Sequence, residues 1–447
     1  MKNKLVILVS ALFLISCEQE LDEKYNVEDS FVKWVSENHV PLISMENSTD
    51  NHDLDLIFKD IANYKVVALS EGFHNSKEMM QLHERMIKYL VENHGFNTVA
   101  TETGLPESRL IYDYVQGKPK QDDMWKNGLN SLYSEWQEAR DLIEWMRSYN
   151  LANHSELEYF GIDIGGFYDN WERPLEKIFE YLDLVDGGYS SKMRAELSPL
   201  LKDLKNNARV NYINKLTQAQ RDDLARVLDE VVLHFSAQKE SFVAQSNMKE
   251  YQWNRQSAVA MQLAENYYRN YMNQVYSDTS KYIGLNGREI AMETNLNWIL
   301  EQRKDAKVIL INHVLHTQTA TKRQNGYLGH FVPAGQLIKE QLKDKLFVIG
   351  MAYGKGEFWN KWQKPENRFV DKIPASREGE IEQTLGKVGT KNYYINWEQA
   401  PAGPAKWLDS SFLLRENDYF IELKPKEWNG IIYLDSVSPA TPASESH

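Results

Sequence analysis

Cysteine is all but missing: Cys17 is the single one in 447 residues, which excludes a disulfide framework and any Cys-based zinc site. A basic excess is missing too. With 51 Lys and Arg against 64 Asp and Glu, the formal charge is −13, so no field exists to neutralise phosphates and nucleic-acid binding is not expected. No Gly-x-Ser-x-Gly elbow occurs, which removes the serine-hydrolase template, and no glycine-rich loop has Walker or Rossmann spacing. No internal repeat is evident. Between Leu200 and Ile283 there is neither Gly nor Pro. What remains is a packed globular composition, 42% hydrophobic and 12% aromatic, long enough for two or three domains around a real core.

The N-terminus reads as an export signal. Lys2 and Lys4 precede an apolar run from Leu5 to Ile15, too short to span a bilayer comfortably. The run ends Leu14-Ile15-Ser16-Cys17, which resembles the bacterial lipobox, in which the Cys is lipidated and becomes the first mature residue. The expectation is a signal peptide over 1–16, a polar tether over 17–29, and membrane attachment through lipidated Cys17. A lipid-anchored protein of the bacterial cell envelope follows, on the periplasmic or surface face of the outer membrane.

Five short apolar runs read as buried strands: Val66–Leu69, Thr98–Ala100, Leu157–Ile162, Val308–Ile311 and Leu346–Gly350. After the first, Asn75 with Glu78 fits a capping box, and Met79, Leu82, Met86 and Leu90 recur at helical spacing. A second helix is expected near Trp136–Tyr149. Strand and helix in this rhythm imply an α/β fold: a parallel-sheet core with helices on both faces. Leu224, Val227, Leu228, Val231, Val232 and Phe235 form an amphipathic stripe, so 170–282 reads as a helical insertion between core segments 30–169 and 283–437. The second segment carries another helix, Arg288–Arg303, and a smaller α+β part with strands in Lys391–Trp397, Tyr419–Leu423 and Gly430–Leu434. Ser438–His447, rich in Ser, Pro and Ala, reads as a disordered tail.

Open parallel sheets bind ligands beyond the carboxyl ends of their strands. Those ends deliver Glu71 and His74, then Glu102, then Asp163, then His313 and His316. Glu102 could instead pair with an Arg such as Arg109, and Asp163 could be a turn-former before Gly165-Gly166. Carboxylates and imidazoles without a nucleophile suit direct activation of water. A neutral imidazole takes the proton, a carboxylate orients the ring, and a second His or an Arg stabilises the oxyanion. No cofactor is then needed. The alternative is a divalent metal held by Glu71-x-x-His74, His313-x-x-His316 and Glu102, mixed N/O ligands suited to Zn, Mn or Fe.

These residues also carry a resemblance to the erythromycin esterases. That family's first motif is a strand, Gly-Glu-x-x-His, a helix, and a strand ending in Glu. The stretch VVALSEGFHNSKEMMQLHERMIKYLVENHGFNTVATETG has Glu71, His74 and Glu102 in the matching places. The similarity continues through Asp141–Asn150, Tyr159–Gly166, Arg288–Leu300, Val308–His316 and Phe347–Phe358. It implies an α/β core with a helical subdomain over the cleft, and hydrolysis of a small-molecule carboxylic ester or lactone such as a macrolide. It also implies His74 as general base, Glu71 and Glu102 orienting it or the water, and His313 with His316 completing the site. A haem-binding lipoprotein is a remote relative, so a haem- or ligand-binding envelope protein is a further alternative. The sequence departs from the family pattern at Ser70 and Asn75, both often Gly, and at Asn312-His313-Val314-Leu315-His316, where the family has Ala-His-Asn-x-His. His83 stands where the macrolide-hydrolysing members have Arg, and Arg85 falls on another helix face.

Overall fold

The computed structural model describes residues 26–130, 133–166, 170–272, 278–320, 331–360, 369–415 and 420–444. The signal sequence, Cys17 and the first part of the tether lie outside them. Eleven strands occur among the described residues: β1 Val40–Pro41, β2 Val66–Glu71, β3 Thr98–Gly104, β4 Glu158–Asp163, β5 Val308–His313, β6 Leu346–Trp359, β7 Val370–Ile373, β8 Asn392–Asn396, β9 Phe412–Arg415, β10 Phe420–Leu423 and β11 Gly430–Val437. Nine of them form one sheet in the order β1-β8-β11-β6-β2-β5-β3-β4, with β7 paired to β6. From β11 to β4 every neighbouring pair is parallel; β1, β7 and β8 join antiparallel. Two strands of the last block, β8 and β11, thus extend the main sheet, while β9 and β10 pair with each other and Leu413 of β9 also bridges to Glu380.

The sheet is buried on both faces because its strands alternate apolar residues without a polar side. Val67, Leu69, Val99, Ile309 and Ile311 point one way, against Leu82, Met86 and Leu90 of α2 (Lys77–His94) and Ile143 and Met146 of α3 (Gln137–Asn153). Val66, Ala68, Ala100, Val308 and Leu310 point the other way. They meet Phe31 and Val35 of α1 (26–38) and Met292, Leu296 and Ile299 of α7 (Asp278–Gln302). Helices α4 (Glu172–Leu204), α5 (Gln218–Ala237) and α6 (Met248–Met272) build a separate core with Leu175, Leu197, Leu224, Val227 and Phe235. The boundary expected at 282/283 falls inside α7, so the helical segment and the returning sheet share one continuous rod.

The start of α2 differs from expectation. Its N-cap is Ser76, whose hydroxyl accepts from Met79 N, whereas Asn75 has φ 73°. The chain must reverse after His74 to bring α2 back over the sheet, and that turn takes a left-handed residue, which Asn tolerates. Ser76 is left with the extended backbone an N-cap requires. Glu78 is therefore not half of a capping box; its carboxylate accepts from Ser438 N and Oγ. The tail expectation is corrected with it. Ser438–Ser444 is hydrogen-bonded onto the protein, with Ala440 1% exposed, Thr441, Pro442 and Ser444 exposed, and bridges at Pro439 and Pro442, while 445–447 lie outside the described residues. A Ser/Pro/Ala composition offers no apolar pattern, but its backbone groups hydrogen-bond as well as any others.

Candidate active site

Glu71 ends β2, and in the β2–β5 register it lies opposite His313. Two strands further along, β3 pairs Thr101 with Gly161 and Gly104 with Asp163, an irregularity that adds a residue to β3. Such bulges re-aim side chains, and this one contains Glu102. A Cβ on Gly161 would collide with the Thr103 carbonyl there, so only glycine fits. Asp163 closes β4. His74 lies in the turn after β2, and His316 in the one-turn helix Val314–Thr317 after β5. That helix is tied to β2 by a 2.7 Å hydrogen bond between Ser70 and Thr317 hydroxyls.

All these side chains are buried, His74 being 7% exposed and Glu71 2%. Glu71 Oε2 lies 2.8 Å from His74 Nδ1 and accepts from Tyr133 OH at 3.1 Å. On the other side of the ring, His74 Nε2 is 4.0 Å from Glu102 Oε2, and the His74 and His313 rings lie 4.9 Å apart, centre to centre. Glu102 Oε2 also accepts from the His313 backbone N–H at 3.2 Å. His313 Nδ1 accepts from Leu315 N. The structure therefore brings Glu71, His74, Glu102, His313 and His316 together at one sheet edge.

It also brings in residues that the strand-end reading did not include. Arg288, from α7, donates from Nη2 to Glu102 Oε1 and to Asp163 Oδ2, both at 2.6 Å, and from Nε to Asp163 Oδ1 at 3.0 Å. Its Nη1 lies 3.1 Å from His316 Nε2. Glu289 holds His316 Nδ1 at 2.8 and 2.9 Å. Glu102 pairs with Arg288 rather than with Arg109, which binds Asp113 and Glu250. Asp163 is an anchor for the guanidinium more than a turn-former. Glu289, Arg288 and the periodic Met292 and Leu296 share one helical stripe, so a charged pair running into an apolar face was the available signal.

Four buried carboxylates share the cluster: Glu102 and Asp163 bind the Arg288 guanidinium, Glu71 holds His74, and Glu289 holds His316. Burial alone would push Glu102 up, but His316, Arg288, His74 and His313 outweigh it and hold its carboxyl well below the ordinary range. Asp163 is raised, because its burial exceeds what Arg288 returns. For His316, burial and Arg288 act downward, yet Glu289 and Glu102 prevail and raise it. His83 is different. Sealed behind Glu71 in the wall of a cavity of about 40 Å³ shared with Tyr133, it is pushed down by burial. Arg85 is occupied by Asp53 at 2.6 Å and does not reach the site.

The metal alternative meets an obstacle in this donor set. Both His316 nitrogens are engaged, and the Arg288 guanidinium already holds Glu102 Oε1. Among the described residues no group of three or more His, Cys, Asp or Glu side chains could hold a metal ion. Nor is any described helix long and apolar enough to cross a membrane.

A mostly parallel sheet with a buried acid–imidazole–guanidinium cluster at its carboxyl edge and a helical segment beside it places the chain among the α/β proteins. Within that class the chain belongs to the erythromycin esterase family, whose profile matches residues 91–435. It is 24% identical over 392 residues to erythromycin esterase type II of Escherichia coli, covering 83% of this chain and 90% of that protein. A crystal structure of a Bacillus cereus protein superposes with TM-score 0.78 at 18% identity, covering 93% of this chain and 99% of that one. An erythromycin esterase mutant in its open conformation superposes with TM-score 0.71 at 18% identity, over 88% and 96%. The fold is the erythromycin esterase fold, and the family match supports a hydrolase acting on a small molecule.

Proposed function

We propose that this protein hydrolyses a carboxylic ester or lactone, with His74 as general base on water and no obligatory cofactor. The observation that carries the reading is the orientation of the His74 ring. Glu71 lies 2.8 Å from Nδ1, and a carboxylate there calls for Nδ1–H as donor, which leaves the Nε2 lone pair of a neutral ring turned toward Glu102 Oε2 at 4.0 Å. A water bonded to both Nε2 and Glu102 would be aligned for proton removal. Glu71 then stabilises the imidazolium, Tyr133 fixes Glu71, and the proton is returned to the leaving alkoxide. Arg288 and His316 supply positive charge for the oxyanion, and His313 fixes Glu102 through its backbone N–H. The substrate class includes macrolides by family likeness. The changes at Ser70, Asn75 and His83 argue for a different lactone or ester.

The test is a hydrolysis screen of macrolides, other lactones and acyl esters, with wild type beside His74→Ala. Removing a general base costs about 10²–10⁴-fold in rate; an unchanged rate on a substrate that wild type turns over defeats the mechanism. Stoichiometric Zn, Mn or Fe whose chelation stops turnover would replace it with the metal-dependent reading. A Soret band on adding haemin, without hydrolysis, would replace it with the binding-protein reading. For location we propose a lipid anchor at Cys17 in the bacterial envelope, supported by the apolar run before it. Cys17→Ser should shift the protein from the membrane fraction to the soluble one.

A further inference from the structure

The tail that runs past β11 holds a two-unit repeat, Ser438-Pro439-Ala440 and Thr441-Pro442-Ala443. Each unit docks on the N-terminus of one helix in the same way, through two backbone hydrogen bonds that form an antiparallel bridge and a third bond to a first-turn carboxylate. Lys77 N, the first residue of α2, donates to Ser438 O at 3.0 Å; Gln137 N, the first residue of α3, donates to Thr441 O at 2.8 Å. Glu78, second in α2, accepts from Ser438 N at 2.6 Å; Glu138, second in α3, accepts from Thr441 N at 3.0 and 3.1 Å. Ser76 bridges to Pro439 and Trp136 to Pro442, both antiparallel. Ala440 N donates to Asn75 O and Ala443 N to Glu135 O, both at 2.8 Å. Trp359 Nε1 donates to Ala440 O and Arg140 Nη1 to Ser444 O, which fix the strap from outside.

The two docked helix starts are the ones that carry the partners of Glu71. His74 immediately precedes Asn75, and Tyr133 is two residues before Glu135; both contact the same oxygen, Glu71 Oε2. A strap whose units are three residues apart sets the spacing of the two helix N-termini, and with it the approach of His74 and Tyr133 to that carboxylate. Two of the first-turn N–H groups that helices leave unpaired are satisfied by the strap rather than by water. It lies beyond residue 435, where the family match ends.

We propose that the (Ser/Thr)-Pro-Ala repeat at 438–443 is a positioning clasp, which locks the His74 and Tyr133 loops onto Glu71. The catalytic part of this statement rests on the reading of His74 as base; the clasp itself does not. The experiment footprints buried histidines in the full chain with diethylpyrocarbonate and peptide mass spectrometry, then repeats this after deletion of 438–447 and in Glu138→Ala. The expected result is carbethoxylation of His74 at least tenfold faster in the deletion, a smaller rise in Glu138→Ala, and unchanged rates at His83 and His316. A synthetic peptide of sequence 438–444 restores protection at millimolar concentration. On any ester that wild type hydrolyses, kcat falls about tenfold while KM stays within twofold. An unchanged His74 rate overturns the clasp, and so does a common rise at His74, His83 and His316, which would mean general loosening. Failure of the base reading is separate, since it shows as an active His74→Ala enzyme with the footprint intact.

Discussion

Replacing Arg288 by Leu isolates the charge balance of the site. The guanidinium makes three charge-assisted contacts at 2.6–3.0 Å to Glu102 and Asp163, both essentially sealed from solvent. Removing one member of a buried pair leaves the other stranded and costs about 3–5 kcal/mol; here two carboxylates are stranded, so the upper part of that range is expected at pH 7. The pH dependence has a definite sign. Glu102 is held below its ordinary value when folded. Its stabilisation is thus complete above the unfolded carboxylate value of about 4.3 and is lost as pH falls through the lower folded value. In Arg288→Leu that depression is weakened, and Asp163, already raised, rises further, so both carboxyls take up protons instead of remaining stranded. The stability gap between wild type and variant should therefore be widest near neutrality and close as pH falls toward 4. Urea unfolding read from the emission of the 12 tryptophans measures it. A gap below 1 kcal/mol at pH 7, or one that widens in acid, would refute the account. Arg288→Lys keeps the charge but not the fork, and should recover only part of the loss.

Tyr133→Phe removes one donor from Glu71 and should lower kcat by roughly tenfold, the worth of one hydrogen bond to a charged group, with KM unchanged in steady-state kinetics. Asn75→Ala forces a Cβ-bearing residue without a polar tip into φ 73° and should cost about 1 kcal/mol by chemical denaturation, whereas Asn75→Gly should be close to neutral. Glu289→Gln removes the first of the carboxylates that raise His316. A raised imidazole stabilises below its unfolded value, about 6.5, and loses that contribution as pH climbs through the folded one. The variant should therefore be less stable than wild type at pH 6 and nearly equal to it at pH 9, by thermal unfolding at both.

Much of the site was legible because parallel strands converge. An acidic or imidazole residue immediately after an apolar run can be assigned to the sheet's carboxyl edge from sequence alone, and Glu71, Glu102, Asp163 and His313 were found that way. Arg288 and Glu289 were not, since a charged pair on a helix reads as a solvated face until its register against Met292 and Leu296 is counted. Tyr133 belongs to a turn, where no periodicity points anywhere. The N-cap of α2 was misplaced by one residue because Asn and Ser are nearly equal caps, and only the left-handed turn at Asn75 decides between them. The tail failed for a deeper reason. Its composition resembles a disordered segment, and what orders it is backbone hydrogen bonding to two helix ends that are far apart in the chain.

The rod α7 reaches from the helical insertion to the sheet, and Arg288 and Glu289 stand about ten residues along it. At 1.5 Å per residue that is a lever arm of roughly 15 Å. Because a single helix carries both residues, its seat against the sheet fixes the guanidinium on Glu102 and the carboxylate on His316 together.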